Sequence, residues 1–227
     1  MLTALLIICL RRLNLKYSLL EKLMKTKFSL ILKGLFIFLI CMILPCTINA
    51  QTKKMGFKIW RNNSCIGFIK VEQSTLNLIT CYHLNSEIKV NMLINLTIVS
   101  TEKTVFENGR LSYSSVYRTV NNREKVNKRI EFLKGIYKVY NGKSCNNISL
   151  DSTSTNLASL YLNEPVYVRT IFCDNHQSVS PIINMGSSRY KIMFPDGNYN
   201  VFHYKNGSCV KVEVFNSLYR VQITPTI

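Results

Sequence analysis

The sequence lacks the short motifs through which enzymes commonly hold a cofactor, a metal ion or a reactive nucleophile. It has no CxxC pair, no HExxH or HxH spacing, no GxSxG segment and no glycine-rich loop that could bind phosphate. Such chemistry needs several suitable residues that converge on one point. The sequence therefore predicts no cofactor, no metal site and no catalytic residues, and three isolated histidines are expected to be structural: His83, His176 and His203.

Acidic residues are also scarce, with 12 Asp and Glu against 29 Lys and Arg. After removal of residues 1–50, 22 basic and 11 acidic residues remain, which gives a net charge of +11. A basic balance can indicate a nucleic-acid or anionic membrane partner. Here the basic residues are scattered, and the densest run, NNREKVNKR at 121–129, contains Glu124. We interpret this run as a solvated hairpin tip and expect no nucleic-acid partner.

The N-terminal region contains a predicted signal peptide at residues 24–50. Met24 opens a basic segment, an apolar run follows, and the small residue Ala50 precedes Gln51 at the predicted cleavage point. Basic start, apolar centre and small residue at the cut are typical of secretory signals. Because Met24 begins a complete signal by itself, residues 1–23 are interpreted as a mis-assigned extension.

A membrane anchor at residues 28–46 is the competing interpretation of the same segment. Lys33 and Pro45 interrupt its apolar run, which falls short of the roughly 20 apolar residues that a spanning helix needs. We therefore expect a periplasmic or secreted protein that meets the membrane only through its signal peptide. The remaining 177 residues, 51–227, are long enough for one domain with its own core.

The part of the chain after residue 50 keeps an odd number of cysteines. One or two disulfides are possible in an oxidising compartment, and the spacing does not fix their connectivity. Small buried thiols are the alternative. The five residues concerned are Cys65, Cys81, Cys145, Cys173 and Cys209.

Alternation of apolar and polar residues runs through most of residues 56–223 and predicts β-strands. Asn-Gly and Asp-Gly pairs favour tight hairpins because Asn and Gly tolerate the positive φ of such turns. Four such pairs separate alternating segments, at 108–109, 141–142, 196–197 and 206–207. The sequence therefore predicts an all-β protein whose main element is an antiparallel meander.

One segment departs from this alternation and predicts a short helix near 156–163. Leu157, Leu160 and Tyr161 have helical spacing, Ser154 or Thr155 could cap the helix, and Pro165 would end it. We expect about eight to ten strands, which is too many to lie flat. The sheet is thus predicted to curl into a barrel or half-barrel with the helix on one side.

Aromatic residues occur in nearly every predicted strand. They are expected to fill the core, since aromatic side chains usually dominate core packing. The alternative is that some line a cavity for an apolar ligand, as in small β-barrels. For that alternative the candidate contacts are Tyr161, as a gate on the helix, with Trp60 and Phe68.

Three segments carry a resemblance to a known family: FKIWRNNSCIGFIKV (57–71), LASLYLNEP (157–165) and YKIMFPDGNYNVFHYKNGSCVKVEV (190–214). They resemble domain of unknown function 6134, a family of small exported proteins of Bacteroidetes, over residues 55–224. The most specific feature is the Ser-Leu-Tyr…Glu-Pro segment, formed by Ser159, Leu160, Tyr161, Glu164 and Pro165. The segment CDNHQ (173–177) departs from the glycine-containing turn of such relatives. The resemblance implies an exported β protein and assigns no activity and no site residues.

Three functions remain open from the sequence. The first is a non-enzymatic envelope protein that binds a lipid or another apolar molecule. The second is a structural or protein-interaction module of the envelope, without a small-molecule ligand and with an envelope protein as its partner. The third is a hydrolase whose site forms only in three dimensions, with Glu164, Asp174 or the Cys173–His176 segment as its reactive groups.

Overall fold

The computed structural model describes residues 51–91, 95–142, 144–150 and 153–226, which belong to one compact unit. The proposed extension (1–23), signal peptide (24–50) and alternative anchor (28–46) lie outside the described residues, so these stay predictions. Within the described part of the chain, no helix has the length and apolar character needed to cross a lipid bilayer.

The described residues form fourteen strands and one short helix, α1. In chain order these are β1 (Gln51–Arg61), β2 (Ser64–Leu76), β3 (Ile79–Asn91), β4 (Asn95–Glu107), β5 (Arg110–Val120), β6 (Arg123–Leu133), β7 (Ile136–Asn141), β8 (Ser144–Ile148), α1 (Leu157–Leu160), β9 (Thr170–Cys173), β10 (Ser178–Gly186), β11 (Arg189–Met193), β12 (Tyr199–Lys205), β13 (Ser208–Phe215) and β14 (Arg220–Pro225).

All fourteen strands belong to one antiparallel sheet built from two meanders. Strands β1–β8 pair in sequence order and so do β9–β14, and the two series are joined where β1 pairs with β14. The sheet is not closed, because β8 and β9 are its two end strands. The predicted all-β class and antiparallel meander are confirmed, with an open sheet rather than a closed barrel.

The expected number of eight to ten strands is too low. Several strands are separated by turns that lack the Asn-Gly or Asp-Gly signature, such as Asn121-Asn122 and Ser187-Ser188, in which both residues have positive φ. Lys134 and Gly135, at φ of 51° and 85°, likewise separate β6 from β7 without that signature. A further turn, with Asn77 at positive φ, separates β2 from β3.

The interpretation of residues 121–129 as a hairpin tip is wrong for most of the run. Only Asn121 and Asn122 form the turn, and β6 begins at Arg123. Successive side chains of a strand point to opposite faces of the sheet. The basic residues of this run are therefore divided between the two faces and do not form one patch.

Aromatic side chains fill the core on the face of the sheet that carries Phe57 and Phe202, called the inner face here. The ring of Tyr161 lies between these two, with ring centroids 5.0 Å from Phe57 and 5.3 Å from Phe202, both in edge-to-face geometry. The hydroxyl of Tyr204 donates to the carbonyl of Leu160 at 2.6 Å. Contacts of this kind fix α1 against the inner face and confirm the core-filling interpretation of these aromatics.

The helix α1 is shorter than expected and is capped by a different residue. It spans Leu157–Leu160, and the side chain of Asn156 accepts a hydrogen bond from the Ser159 amide at 3.1 Å. Ser154 and Thr155, the expected caps, precede this position. Asn156 has extended backbone geometry and a side-chain oxygen, which are the properties of a good N-cap.

Candidate functional site

The three residues predicted to contact an apolar ligand lie in different places. Tyr161 is buried in the packed core. Phe68 is 55% exposed and lines a shallow groove of about 510 Å³ with Gly56 and Val99. Trp60 lines another groove, of about 390 Å³, and its indole N–H donates to Thr224 at 3.0 Å. The structure does not bring these three side chains together, and it places Tyr161 in the core.

A larger depression lies on the inner face and is called the inner cleft here. Its volume is about 530 Å³, which is within the usual range for small-molecule sites. One wall is the inner face of β3–β6, and the other includes residues of β12 and β13 and of the turns that precede β12 and β14. Its apolar lining consists of Ile88, Ile98, Val126, Leu157, Phe194, Val214, Phe215 and Tyr219.

Two basic residues of adjacent strands reach this cleft and hold the segment between β9 and β10. A guanidinium nitrogen of Arg118 donates to the side-chain oxygen of Asn175 at 2.6 Å. The ammonium group of Lys128 donates to the backbone oxygen of the same asparagine at 3.2 Å. Arg118 on β5 and Lys128 on β6 therefore fix the 173–177 segment as part of the cleft wall.

A buried carboxylate lies beside Arg118. Glu102 of β4 is 7% exposed, accepts a hydrogen bond from the Asn175 amide at 3.0 Å and lies 3.7 Å from the Arg118 guanidinium. Burial raises the pKa of Glu102 to about 7, and the nearby negative charge of Asp174 acts in the same direction. The arginine and the amide oppose this shift, so this carboxyl changes its charge near neutral pH.

The second buried carboxylate, Asp174, is surrounded by hydrogen-bond donors. Thr104 and Ser114 donate their hydroxyls to Oδ1 at 2.6 and 2.5 Å, and the Asn156 amide donates to Oδ2 at 3.2 Å. Burial raises the pKa of Asp174, although these donors favour its charged form. The hydrogen bonds connect β4, β5 and the helix cap, so Asp174 stabilises the floor of the cleft.

The opposite wall is held together by local hydrogen bonds and ring stacking. The imidazole of His176 stacks on Phe194, with ring centroids 5.2 Å apart. The Asn198 amide donates to Asp196 at 2.7 Å, and the Asn198 side-chain oxygen accepts from the Ser217 amide at 2.9 Å. These contacts tie the turn before β12 to the turn before β14 and give the wall a fixed shape.

The side chain of Asn200 is a polar group of the cleft that forms no hydrogen bond within the described residues. Asn200 of β12 is 7% exposed and lines the cavity, and no side-chain hydrogen bond joins it to any part of the chain that the structure describes. Its side-chain nitrogen and oxygen are not among the fully buried unpaired atoms of the described residues, so they reach the open space of the cleft. An amide in this position is therefore available to a molecule in the cleft.

The residues considered for hydrolysis do not form an activated nucleophile. Burial raises the pKa of the Cys173 thiol to about 12, so it is protonated at neutral pH. Glu164 accepts a hydrogen bond from the Tyr190 hydroxyl at 3.0 Å. Across residues 51–91, 95–142, 144–150 and 153–226, no three His, Cys, Asp or Glu side chains are placed to hold a metal ion, and the five cysteines are unpaired.

The main polar residues of the cleft were missed by the sequence analysis, although part of the signal is present. Residues Ser100, Glu102 and Thr104 alternate along β4, so they share its inner face with Ile98 and Phe106. Three polar residues in the middle of an otherwise apolar face indicate a buried polar cluster. Their partners lie on β5, at Asn156 and in the 173–177 segment, and the sequence does not specify these contacts between distant parts of the chain.

Comparison with known proteins places the chain in a family. The family model of a domain of unknown function (DUF6134) matches residues 57–226, and a search of curated proteins found no match. Among solved structures, the beta-barrel-like protein of domain of unknown function DUF1849 from Brucella abortus is similar, at 11% identity and a TM-score of 0.47. That match covers 78% of this chain and 95% of the other. Since the family model spans most of the sequence, the chain belongs to the DUF6134 family.

Proposed function

We propose that this protein is an exported, non-enzymatic protein of the cell envelope that binds a lipid or another molecule with a large apolar part in the inner cleft. The observation that supports the proposal is the cleft itself, an open cavity of about 530 Å³ on the inner face of the curled sheet. Its apolar walls would cover the ligand, and its polar residues would orient it, as in most small-molecule sites.

The rest of the core supports binding at this cleft rather than deeper in the protein. Tyr161, Phe57 and Phe202 are at most 4% exposed and pack edge to face. A ligand in that region would have to displace well-packed aromatic rings, which costs several kcal/mol. The inner cleft can receive a ligand without this cost.

Native mass spectrometry of the protein purified from its own envelope tests the binding proposal. We expect a mass greater than that of the polypeptide, which a bound amphiphile accounts for. Ser86→Trp should remove the added mass, because Ser86 lines the cleft and an indole would occupy it. Asn127→Trp, an exposed position on the opposite face of β6, is the matched control and should retain the added mass. A wild-type protein that carries no ligand would contradict the proposal.

Export has a separate test. The mature protein should begin at Gln51, as measured by intact mass and N-terminal sequencing of protein from the periplasm or medium. A product that retains residues 28–46 and sediments with the membrane would instead support the anchor. The outcome of this export test does not affect the interpretation of the ligand-binding test.

A protein-interaction module is the second candidate, and the outer face supports it. Phe68, Val99 and Tyr117 are 55%, 40% and 47% exposed there, a degree of apolar exposure that a partner surface could cover. Under this proposal, Phe68→Ser abolishes crosslinking to an envelope protein while the ligand mass in native spectra is unchanged. If Phe68→Ser changes neither the crosslinking nor the ligand mass, Phe68 contacts neither a partner protein nor the ligand.

A further inference from the structure

We infer that the ligand of the inner cleft is anionic, with a carboxylate or phosphate group that binds at Lys128 and an apolar chain that lies along the opposite wall. The inference rests on the proposed function and adds the chemical class of the ligand. Carboxylate and phosphate share the relevant chemistry, since both accept charge-assisted hydrogen bonds from an ammonium group.

Lys128 is the cation of the cleft that has no acidic partner in the described part of the chain. Its ammonium group donates to the Asn175 carbonyl at 3.2 Å, which uses one of its three donors. By contrast, the other basic residue of the cleft, Arg118, has the Glu102 carboxylate 3.7 Å away and is also bound by Asn175. The unused positive charge in the cleft is therefore at Lys128.

The acidic groups around the cleft are already engaged by other donors. Asp196 accepts from the backbone amide of Asn198 at 3.1 Å and from its side chain at 2.7 Å. Asp174 accepts three side-chain hydrogen bonds at the floor. These bonds do not remove their charge, but they direct both carboxylates toward protein donors, and Lys128 keeps free donors for a ligand.

Asn200 supplies a second polar contact on the facing wall. Its amide is 7% exposed, lines the same cavity and has no side-chain partner among the described residues. An amide N–H can donate to the same anionic oxygen atoms that bind Lys128 or to an ester or hydroxyl group next to them. The geometry thus provides donors on two walls of the cleft, with the rings of Phe194 and Tyr219 beside them for the chain.

The test compares four probes with the same eight-carbon chain by isothermal titration calorimetry: octanoate, octyl phosphate, octyltrimethylammonium and octan-1-ol. We expect both anions to bind at least about tenfold more tightly than the cation, since a hydrogen bond to a charged group commonly contributes that much. The two anionic arms distinguish a carboxylate ligand from a phosphate ligand by which probe binds more tightly.

Variants locate the effect at Lys128. Lys128→Gln should weaken both anions about tenfold and leave octan-1-ol unchanged, and Lys128→Arg should restore anion binding because it keeps the charge. Arg129→Gln is the matched control and should bind as the wild type does, since Arg129 lies on the outer face over Tyr140 and next to Glu131. A thermal melt of each variant confirms that it is folded.

Two outcomes would overturn the inference while the proposed function stands. One is equal affinity for the cation and the anions, and the other is an equal loss of octan-1-ol and anion binding in Lys128→Gln. Failure of all four probes to bind the wild type would contradict the proposed function itself. Failure of the inference and failure of the function are therefore separate results.

Discussion

Glu102 is a residue whose charge state is coupled to the stability of the fold. Three groups surround its buried carboxyl: Asp174 and Asn175 from the 173–177 segment, and Arg118 from β5. Its pKa in the folded protein is about 7, against an ordinary value of 4.5, and burial is the main cause. The protonated Glu102 carboxyl therefore makes its full contribution to the free energy of unfolding below about pH 4.5, and this contribution is lost as the pH rises through 7.

Replacing Glu102 by Gln should change the pH dependence of unfolding. At pH 4 the variant and the wild type should have similar free energies of unfolding, because the wild-type carboxyl is mostly protonated in both the folded and the unfolded state. At pH 8 the variant should be more stable by up to about 3 kcal/mol, the free energy that corresponds to the pKa difference. Urea unfolding at both pH values measures this, with the exposed Glu87→Gln as control. A variant that is less stable than the wild type at pH 8 would show that the Arg118 contact outweighs burial.

At the scale of the elements, the close approach of β2 to β3 depends on Gly67. A Cβ atom at this position would lie 2.2 Å from the backbone oxygen of Glu87 and 2.9 Å from the Cα of Ile88. Backbone atoms cannot move aside as a side chain can, so the strands themselves would have to separate. Gly67 lies within FKIWRNNSCIGFIKV (57–71), one of the segments that carry the family resemblance, and its presence there therefore has a structural explanation.

Gly67→Ala should lower the free energy of unfolding by about 1–3 kcal/mol, since forcing atoms into a packed site has costs of that size. Gly56→Ala is the matched control on β1. The new Cβ there would meet only the hydroxyl oxygen of Thr226, at 2.6 Å, and that side chain can rotate away. Thermal melts of both variants measure the difference, and equal melting temperatures would contradict the steric explanation.

The sequence was sufficient for the fold class and for several strand boundaries. The turn between β4 and β5 was predicted from the Asn-Gly pair at 108–109, and both residues have the positive φ expected of such a turn, at 52° and 71°. Turns such as Lys134-Gly135 were missed because their first residue has no intrinsic preference for positive φ. In those cases strand pairing on both sides imposes the turn, and local sequence carries little of that information.

The cleft could be predicted less well than the fold. Period-two alternation indicates that Lys128 and Arg129 lie on opposite faces, but it does not say which face is buried. The face is decided by the pairing of Val116 with Lys128 and of Glu102 with Val116. These are contacts between distant parts of the chain, and a shift of one residue would exchange the faces.

The whole molecule depends on one junction between its two meanders. Ile223 of β14 is 3% exposed and pairs with Ile59 of β1 on one side and Val212 of β13 on the other. Ile223→Ala should therefore lower the free energy of unfolding by about 2–4 kcal/mol. Gln222→Ala changes the adjacent residue of β14 and should have only a small effect on the free energy of unfolding. The Gln222 side chain is exposed, whereas that of Ile223 belongs to the core. Urea unfolding followed by circular dichroism measures both, and equal losses would show that this junction is not a core contact.

The pairing of β1 with β14 has a consequence for folding. β1 pairs with β2 across a two-residue turn, but its other edge stays without a partner until the distant segment Arg220–Pro225 docks against it. Unpaired strand edges are the surfaces through which incomplete chains associate with one another. A folding intermediate in which β14 has not yet docked is therefore prone to aggregate through the open edge of β1, and a variant that lacks Arg220–Pro225 would keep that edge exposed permanently.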